Sequence, residues 1–220
     1  MIGEDIRNIV FRDTNTYYNS MPEGLVARQL ISFVRKHATG SILDLGCATG
    51  NYSVMLKNLG YNVKAADINP EYVLRAKERG IEAVVIDGRV PFPDKSFDTV
   101  ICFEVIEHVV DLDVVLNEAK RLAKRTVLFT TPNSEHVTEL IQQGLLYEHF
   151  AELDHKNFFT KNSLTKALQK HFAHVEVKKG DGINPMALIG FTPVRMLGKL
   201  LTKIGIIRPT YHFRLFAVCR

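Results

Sequence analysis

Short apolar runs alternate with amphipathic runs between residues 41 and 131, and this alternation constrains the fold more than any other feature of the chain. Five apolar runs have the length and composition of buried strands: 41–46, 62–67, 82–87, 98–103 and 126–131. Three amphipathic runs between them have helical character: 50–60, 70–80 and 112–123. Strands that alternate with helices in this way form parallel sheets with helices on both faces. The sequence therefore predicts an α/β, doubly wound fold.

Further elements flank this stretch on both sides. We predict helices over 21–37 and 161–172, and strands over 174–180 and 212–219. Two helix starts have a specific chemical signal. Asn69 precedes Pro70, and Thr160 precedes the helix at 161, so each can accept hydrogen bonds from the first free amides of its helix.

The segment between the last two predicted strands, 181–211, contains an amphipathic helix that begins at Thr192 and Pro193. Its apolar face comprises Val194, Leu197, Leu200, Leu201 and Ile204, and its basic positions are Arg195, Lys199 and Lys203. We predict that the apolar face packs on the domain as part of a substrate lid. The alternative is a helix that lies on an anionic membrane surface, since residues 182–220 include six basic and no acidic side chains.

Composition excludes several classes of protein. The net charge is +4, and apolar and charged contents of 46% and 24% are ordinary for a globular protein. The N-terminal sequence MIGEDIRNIV has acids where a secretory signal has basic residues, and no run of eighteen apolar residues indicates a transmembrane helix. The three cysteines are scattered without metal-ligand spacing, which suits a reducing compartment. We therefore expect a cytoplasmic protein.

A glycine-rich turn, LDLGCATGNY, follows the first predicted strand at residues 43–52. A dinucleotide site needs G-x-G-x-x-G, but counting from Gly46 the second and third glycine positions hold Ala48 and Asn51. The Gly-Lys-Ser/Thr end of a phosphate loop is absent as well. The turn therefore lacks both phosphate cradles.

Acidic residues at the ends of three predicted strands indicate a different ligand. Asp67 ends the second strand, 21 residues beyond Gly46, where a carboxylate can accept both hydroxyls of a ribose. Asp87 ends the third strand, and Asp44 in the first can face a positively charged amine. These residues predict a nucleoside with a cationic end and no phosphate.

Four stretches in this order resemble the class I S-adenosylmethionine-dependent methyltransferases: ILDLGCATG (42–50), VKAADINP (63–70), VVIDGRVPFPDKSFDTVICFEVIEHV (84–109) and VLFTTPN (127–133). The resemblance covers about residues 40–180, and Ala48 departs from the glycine that many members have there. It implies one domain over 1–220 with a seven-stranded, mostly parallel, Rossmann-like sheet and an antiparallel last strand. The parts would be an N-terminal helical lid (1–40), a cofactor-binding core (41–180), a helical insert (181–211) and the last strand (212–220).

The resemblance also implies which residues hold S-adenosyl-L-methionine. The methionine end would contact Asp44, Gly46, Cys47, Ala48 and Gly50. Asp67 would hold the ribose, with Ile68 beside the adenine and Asp87 and Gly88 at its edge. Phe103 and Glu104 would lie under the sulfonium and amino group, and Tyr17 and Tyr18 would belong to the lid.

Candidate catalytic residues follow the fourth predicted strand in FEVIEHV, residues 103–109. Glu104, His108 and a later histidine, His155, are predicted to act on the acceptor, with an imidazole as general base. Together with Glu107, they resemble the E-x-x-E-H sets of ubiquinone-biosynthesis O-methyltransferases and of small-RNA 2′-O-methyltransferases, the second of which use magnesium. The motif also occurs in relatives without a metal, and we predict no resident metal here.

The predicted function is O-methylation of a small-molecule or lipid-like acceptor. One alternative is a metal-dependent RNA 2′-O-methyltransferase, although no basic-aromatic module for nucleic acid is evident. Another is a module that binds adenosylmethionine without catalysis. A nicotinamide dehydrogenase is disfavoured by Ala48 and Asn51.

Overall fold

The computed structural model describes residues 27–142, 154–183, 192–207 and 211–220. The helices are α1 (Arg28–His37), α2 (Asn51–Asn58), α3 (Pro70–Glu78), α4 (Leu112–Leu122), α5 (Val137–Gln142), α6 (Lys161–Gln169) and α7 (Thr192–Lys203). The strands are β1 (Ile42–Leu45), β2 (Val63–Asp67), β3 (Glu82–Val85), β4 (Phe97–Phe103), β5 (Ala123–Pro132), β6 (Val175–Ile183) and β7 (Tyr211–Cys219).

The seven strands form one sheet in the order β3-β2-β1-β4-β5-β7-β6. Strand β1 pairs in parallel with β2 and β4, and β2–β3 and β4–β5 are parallel as well. Strand β7 runs antiparallel to both β5 and β6. The predicted mostly parallel sheet with an antiparallel last strand is confirmed. Because β7 is reversed, its first residues lie at the edge where the parallel strands end.

Both faces of the sheet are covered by apolar side chains. Leu43 and Val100 belong to one buried cluster, and their chain neighbours Ile42 and Ile101 belong to another. Successive strand residues point to opposite faces, so these two clusters are the two helix-covered layers of a doubly wound fold. All three cysteines are buried and free.

The predicted helix starts are confirmed. The Asn69 side chain accepts from the amides of Glu71 and Tyr72, and Pro70 is the first residue of α3. Thr160 forms a reciprocal capping box with Ser163 at the start of α6.

Several bounds differ from the predicted ones. Within the described residues the first helix begins at Arg28, and residues 21–26 of that prediction lie outside them. Strand β3 ends at Val85, because the chain makes a tight turn at Asp87–Arg89. The Asp87 carbonyl accepts from the Arg89 amide at 2.7 Å. Strand β6 continues to Ile183, into the segment assigned to the insert.

Of the five positions on the predicted apolar face of α7, Val194 and Leu201 are partly buried, but the other three are exposed, so the expected packing is wrong for those three. Leu197, Leu200 and Ile204 are 49%, 54% and 58% exposed. Helical periodicity shows that a face is apolar but not what covers it. Among the described residues, none of the helices is both long and apolar enough to span a bilayer.

Candidate active site

The turn after β1 is shaped by three residues in the left-handed backbone region. Gly46, Ala48 and Gly50 have φ angles of 81°, 45° and 80°. A Cβ atom on Gly46 would lie 2.4 Å from Cγ2 of Val105, which follows β4. The turn after β1 and the turn after β4 therefore meet with no room for a side chain. Only glycine, which has no Cβ atom, fits at this close approach.

Two buried carboxylates flank this turn. Asp44 is 3% exposed and accepts from the Ser53 hydroxyl at 2.6 Å. Burial raises the pKa of Asp44 to about 6, against the opposing effect of the Ser53 hydrogen bond. Asp67 accepts from the Ala48 and Asn69 amides at 2.8 and 2.9 Å, and burial raises its pKa as well. A bound cation beside Asp44 would offset this desolvation.

The residues predicted to meet the adenine lie beyond β2 and β3. Ile68 directly follows Asp67 and is 76% exposed, so its side chain is available to an aromatic base. Asp87 and Gly88 are exposed after the end of β3. Asp67 pairs with Val85 in the β2–β3 register, which places these residues at one edge of the sheet.

The remaining predicted cofactor residues differ in their surroundings. Cys47 is buried, and this burial raises the pKa of its thiol above the ordinary range, so it is a neutral wall of the site. The buried Phe103 ring packs edge-on against Tyr52 of α2, with 5.7 Å between ring centroids. Tyr17 and Tyr18 lie outside the described residues.

Glu104, the first residue beyond β4, has a left-handed φ of 55°. Its amide donates to the Thr130 carbonyl at 3.0 Å, and its carboxylate accepts from Nε of Arg214 at 3.1 Å. The Arg214 guanidinium also binds the carboxylate of Asp181. Sequence reasoning missed Arg214 and Asp181, because Arg214 meets Glu104 and Asp181 only through the pairing of distant strands.

Glu107, His108 and His155 are brought together by the structure. Their candidate ligand atoms all lie within 4.8 Å of one another, and the two imidazole centroids are 4.6 Å apart. Nδ1 of His108 lies 3.2 Å from an Asp154 carboxylate oxygen. Glu107 is buried and accepts from the Thr131 hydroxyl at 3.1 Å. Glu104 is not part of this cluster.

Backbone hydrogen bonds hold the segment that contributes His155. The amides of Lys156 and Asn157 both donate to the Glu107 carbonyl, at 2.8 and 3.0 Å. The Asn157 side chain donates to the carbonyls of Ile106 and Val109, at 3.0 and 2.7 Å. The chain at 154–157 is therefore attached along the turn that carries Glu107 and His108.

This cluster has the chemistry of a proton acceptor and also of a metal ligand set. Asp154 beside Nδ1 can stabilise a protonated His108 by its negative charge. The cluster offers two imidazoles and one carboxylate, whose ligand atoms lie within 4.8 Å of each other. Such a set also fits a divalent transition ion.

The doubly wound sheet brings an acid-flanked glycine turn and a cluster of two imidazoles and one carboxylate to the same edge. This arrangement fits an enzyme with a nucleoside cofactor. A family model described as "Methyltransferase domain" matches residues 21–171. The chain belongs to this methyltransferase family.

Individual relatives agree with this assignment. The chain is 37% identical over 95 residues to the ubiquinone biosynthesis O-methyltransferase of Xanthomonas oryzae pv. oryzae (strain PXO99A), a match that covers 40% of each chain. It is 31% identical over 144 residues to the mitochondrial ubiquinone biosynthesis O-methyltransferase of Schizosaccharomyces pombe, covering 54% of this chain and 53% of the relative. The chain thus spans about half or less of the length of these curated relatives.

Among solved structures, an S-adenosylmethionine-dependent methyltransferase from Archaeoglobus fulgidus shares the fold. The TM-score is 0.61 at 18% identity, and the match covers 87% of this chain and 93% of that one.

Proposed function

We propose that this enzyme transfers a methyl group to the hydroxyl oxygen of a small-molecule or lipid-like acceptor. The observation that carries the proposal is the His108–Asp154 pair, 3.2 Å apart, within the Glu107/His155 cluster. A hydroxyl nucleophile must lose its proton, and an imidazole backed by a carboxylate can receive it. The names of the Xanthomonas and fission-yeast relatives support oxygen as the acceptor atom.

We propose S-adenosyl-L-methionine as the methyl donor, bound by the residues that the sequence implies for it. The turn from Gly46 to Gly50 contacts the methionine end, with Asp44 beside its amino group. Asp67 accepts the ribose hydroxyls, and Ile68 lies beside the adenine, whose edge meets Asp87 and Gly88. Three features support these roles: the buried carboxylates, the exposed Ile68 and the close approach of two turns at Gly46.

The chemical step needs alignment more than activation, since the sulfonium is already a good leaving group. The acceptor oxygen bonds to the methyl carbon, the carbon–sulfur bond breaks, and the hydroxyl proton passes to His108. Asp154 stabilises the imidazolium that results, and Glu107 and His155 keep the ring in place. Holding oxygen and methyl in line supplies much of the rate enhancement in such reactions.

A divalent ion is a second candidate for the same cluster. Glu107, His108 and His155 would hold it, and it would lower the pKa of a bound hydroxyl. Glu104 is paired with Arg214 instead, so a carboxylate of the E-x-x-E-H pattern is directed elsewhere. A metal-dependent RNA methyltransferase is not favoured.

The test is turnover with a catechol, a prenylated catechol and a short RNA, followed as S-adenosylhomocysteine formation with magnesium, with zinc and with a chelator. We expect catechol methylation that survives chelation and falls at least tenfold in His108→Gln, while adenosylmethionine affinity in calorimetry stays within twofold. His174→Gln, an exposed histidine outside the cluster, is the control. Turnover that persists in His108→Gln would refute the general-base role. RNA-only turnover would refute the acceptor class.

We further propose that α7 contacts an anionic membrane surface, which would bring a lipid-like acceptor to the active edge. The exposed apolar side chains of α7, including Met196 at 66%, and the absence of acids from 182 to 220 support this. Wild-type protein should sediment with phosphatidylglycerol vesicles, and the Leu200→Glu variant should remain in the supernatant. Leu74→Glu, an exposed leucine of α3, should still sediment. Equal sedimentation of both variants would exclude α7.

A cytoplasmic location is proposed on the three free, buried thiols, which suit a reducing compartment. Fractionation of the native cells tests it, and protein recovered only from an organelle would contradict it. A loosely bound membrane pool, released by salt, is compatible with the α7 proposal.

A further inference from the structure

Three charged side chains meet at the carboxyl edge of the sheet, and we call Glu104, Arg214 and Asp181 the edge triad. They come from β6, β7 and the residue after β4. Arg214 binds both carboxylates, and each of the three side chains is about four-fifths buried, with 19% to 23% exposed. One cation between two carboxylates leaves the triad with a net charge of −1.

The triad is not satisfied by its own contacts. Glu104 and Asp181 both have left-handed φ angles, 55° and 51°, which are uncommon for residues other than glycine and concentrate at functional sites. Oδ1 of Asp181 is buried and has no hydrogen-bond partner among the described residues. Two strained acids and an unpaired buried oxygen indicate that the negative charge has a use beyond joining three strands.

The triad borders the site proposed for the methionine end of the donor. Val105, the neighbour of Glu104, contacts Gly46 so closely that a Cβ there would clash. Tyr52 of α2 packs on Phe103 and lies within electrostatic range of Arg214, Glu104 and Asp44 together. The triad and Asp44 thus lie near the same aromatic pair, next to the glycine turn.

We propose that the edge triad favours the positively charged donor over its neutral product. The inference rests on the proposed placement of the donor. S-adenosylmethionine has a sulfonium cation and S-adenosylhomocysteine an uncharged thioether, and they differ otherwise by one methyl group. A net charge of −1 in a poorly hydrated site attracts the first and not the second. Arg214 holds the two acids close together by its ion pairs with both.

This selectivity has a consequence for turnover. Transfer of the methyl group removes the positive charge at the sulfur, so the attraction to the triad ends in the same step. S-adenosylhomocysteine should therefore bind more weakly than S-adenosylmethionine, so that fresh donor displaces it. Asp181, which is not otherwise near a predicted cofactor residue in the sequence, becomes a specificity-determining residue.

The test is calorimetric titration of the full chain with three ligands: S-adenosylmethionine, S-adenosylhomocysteine, and sinefungin, whose protonated amine replaces the methylated sulfonium. In Asp181→Asn we expect the affinity for both cations to fall about threefold to tenfold, and the affinity for S-adenosylhomocysteine to change less than twofold. Glu104→Gln should act in the same direction and serves as the second variant if one fails to fold, as checked by circular dichroism.

Glu176→Gln is the matched control. It removes the same charge from the same strand, five residues away or about 16 Å along β6, and its side chain is exposed. We expect it to leave all three affinities unchanged. An unchanged preference for cations in both triad variants, or an equal loss for all three ligands, would overturn the inference. Wild-type protein that binds none of the three would overturn the donor placement beneath it.

Discussion

Protonation of Asp44 should couple both the stability of the protein and its donor affinity to pH. Asp44 is fully buried, and burial raises its pKa from an ordinary 3.8 to about 6. Because the folded pKa is the higher one, the protonated form favours the fold. This contribution is fully present below about pH 4 and is lost as the pH rises through about 6. The difference between the two pKa values corresponds to about 3 kcal/mol.

Asp44→Asn removes this titration and keeps the shape of the side chain. We expect the wild-type protein to lose stability from pH 4 to pH 7 and the variant to lose much less. The difference between their free energies of unfolding should therefore shift by up to about 3 kcal/mol in favour of the variant over this range. Urea unfolding at several pH values measures the difference directly. A constant difference between the two proteins across this range would refute the assignment of the titration to Asp44.

Donor binding should show the opposite preference, since the cationic amine needs an ionised Asp44. The dissociation constant for S-adenosylmethionine in wild type should be flat near pH 7 and rise about tenfold per pH unit below about 6. In Asp44→Asn it should be weaker at pH 7 and nearly independent of pH. Calorimetry in two buffers of different ionisation heat should detect proton release on binding near pH 5.5. Wild-type affinity that is equal at pH 5 and pH 7 would refute the reasoning.

Three further predictions concern the glycine turn and the ribose site. Asp67→Ala should weaken adenosylmethionine binding by about 1–3 kcal/mol because the ribose hydroxyls lose their charged acceptor, and unchanged affinity in calorimetry would count against that role. Gly46→Ala should lower the free energy of unfolding by roughly 2–4 kcal/mol, from the left-handed φ and the 2.4 Å approach to Val105. Added Val105→Ala should recover part of that loss in urea titrations, and strict additivity would exclude the clash. Ala48→Gly should raise stability by up to about 1 kcal/mol, since an alanine at a φ of 45° is strained, and a lower midpoint would contradict this.

Much of the fold could be predicted because its signals are local. Asn69 and Thr160 each satisfy amides a few residues away, so a short window of sequence contains the whole interaction. The order of apolar and amphipathic runs was sufficient for the layers of the fold. The end of β3 was missed because apolar Ile86 continues the strand pattern from Val85 up to the turn at Asp87.

The site was only partly predictable for the same reason. The carboxylates at strand ends follow from the parallel sheet, whose carboxyl ends share one edge. Arg214 pairs with Glu104 across 110 positions of the chain, inside a run that has the composition of an ordinary apolar strand. The exposure of Leu200 on α7 depends on what surrounds the helix, which periodicity does not contain.

The antiparallel pairing of β6 and β7 allows the segment between these two strands to be replaced. Ile183 and Tyr211 are register partners, so the chain leaves and re-enters the sheet at points about 5 Å apart. A segment whose ends are fixed this closely can be lengthened, shortened or replaced at a small entropic penalty that grows only with the logarithm of its length. Residues 184–210 are therefore a replaceable connection between β6 and β7. A different sequence, or a two-residue hairpin turn, can be grafted in their place.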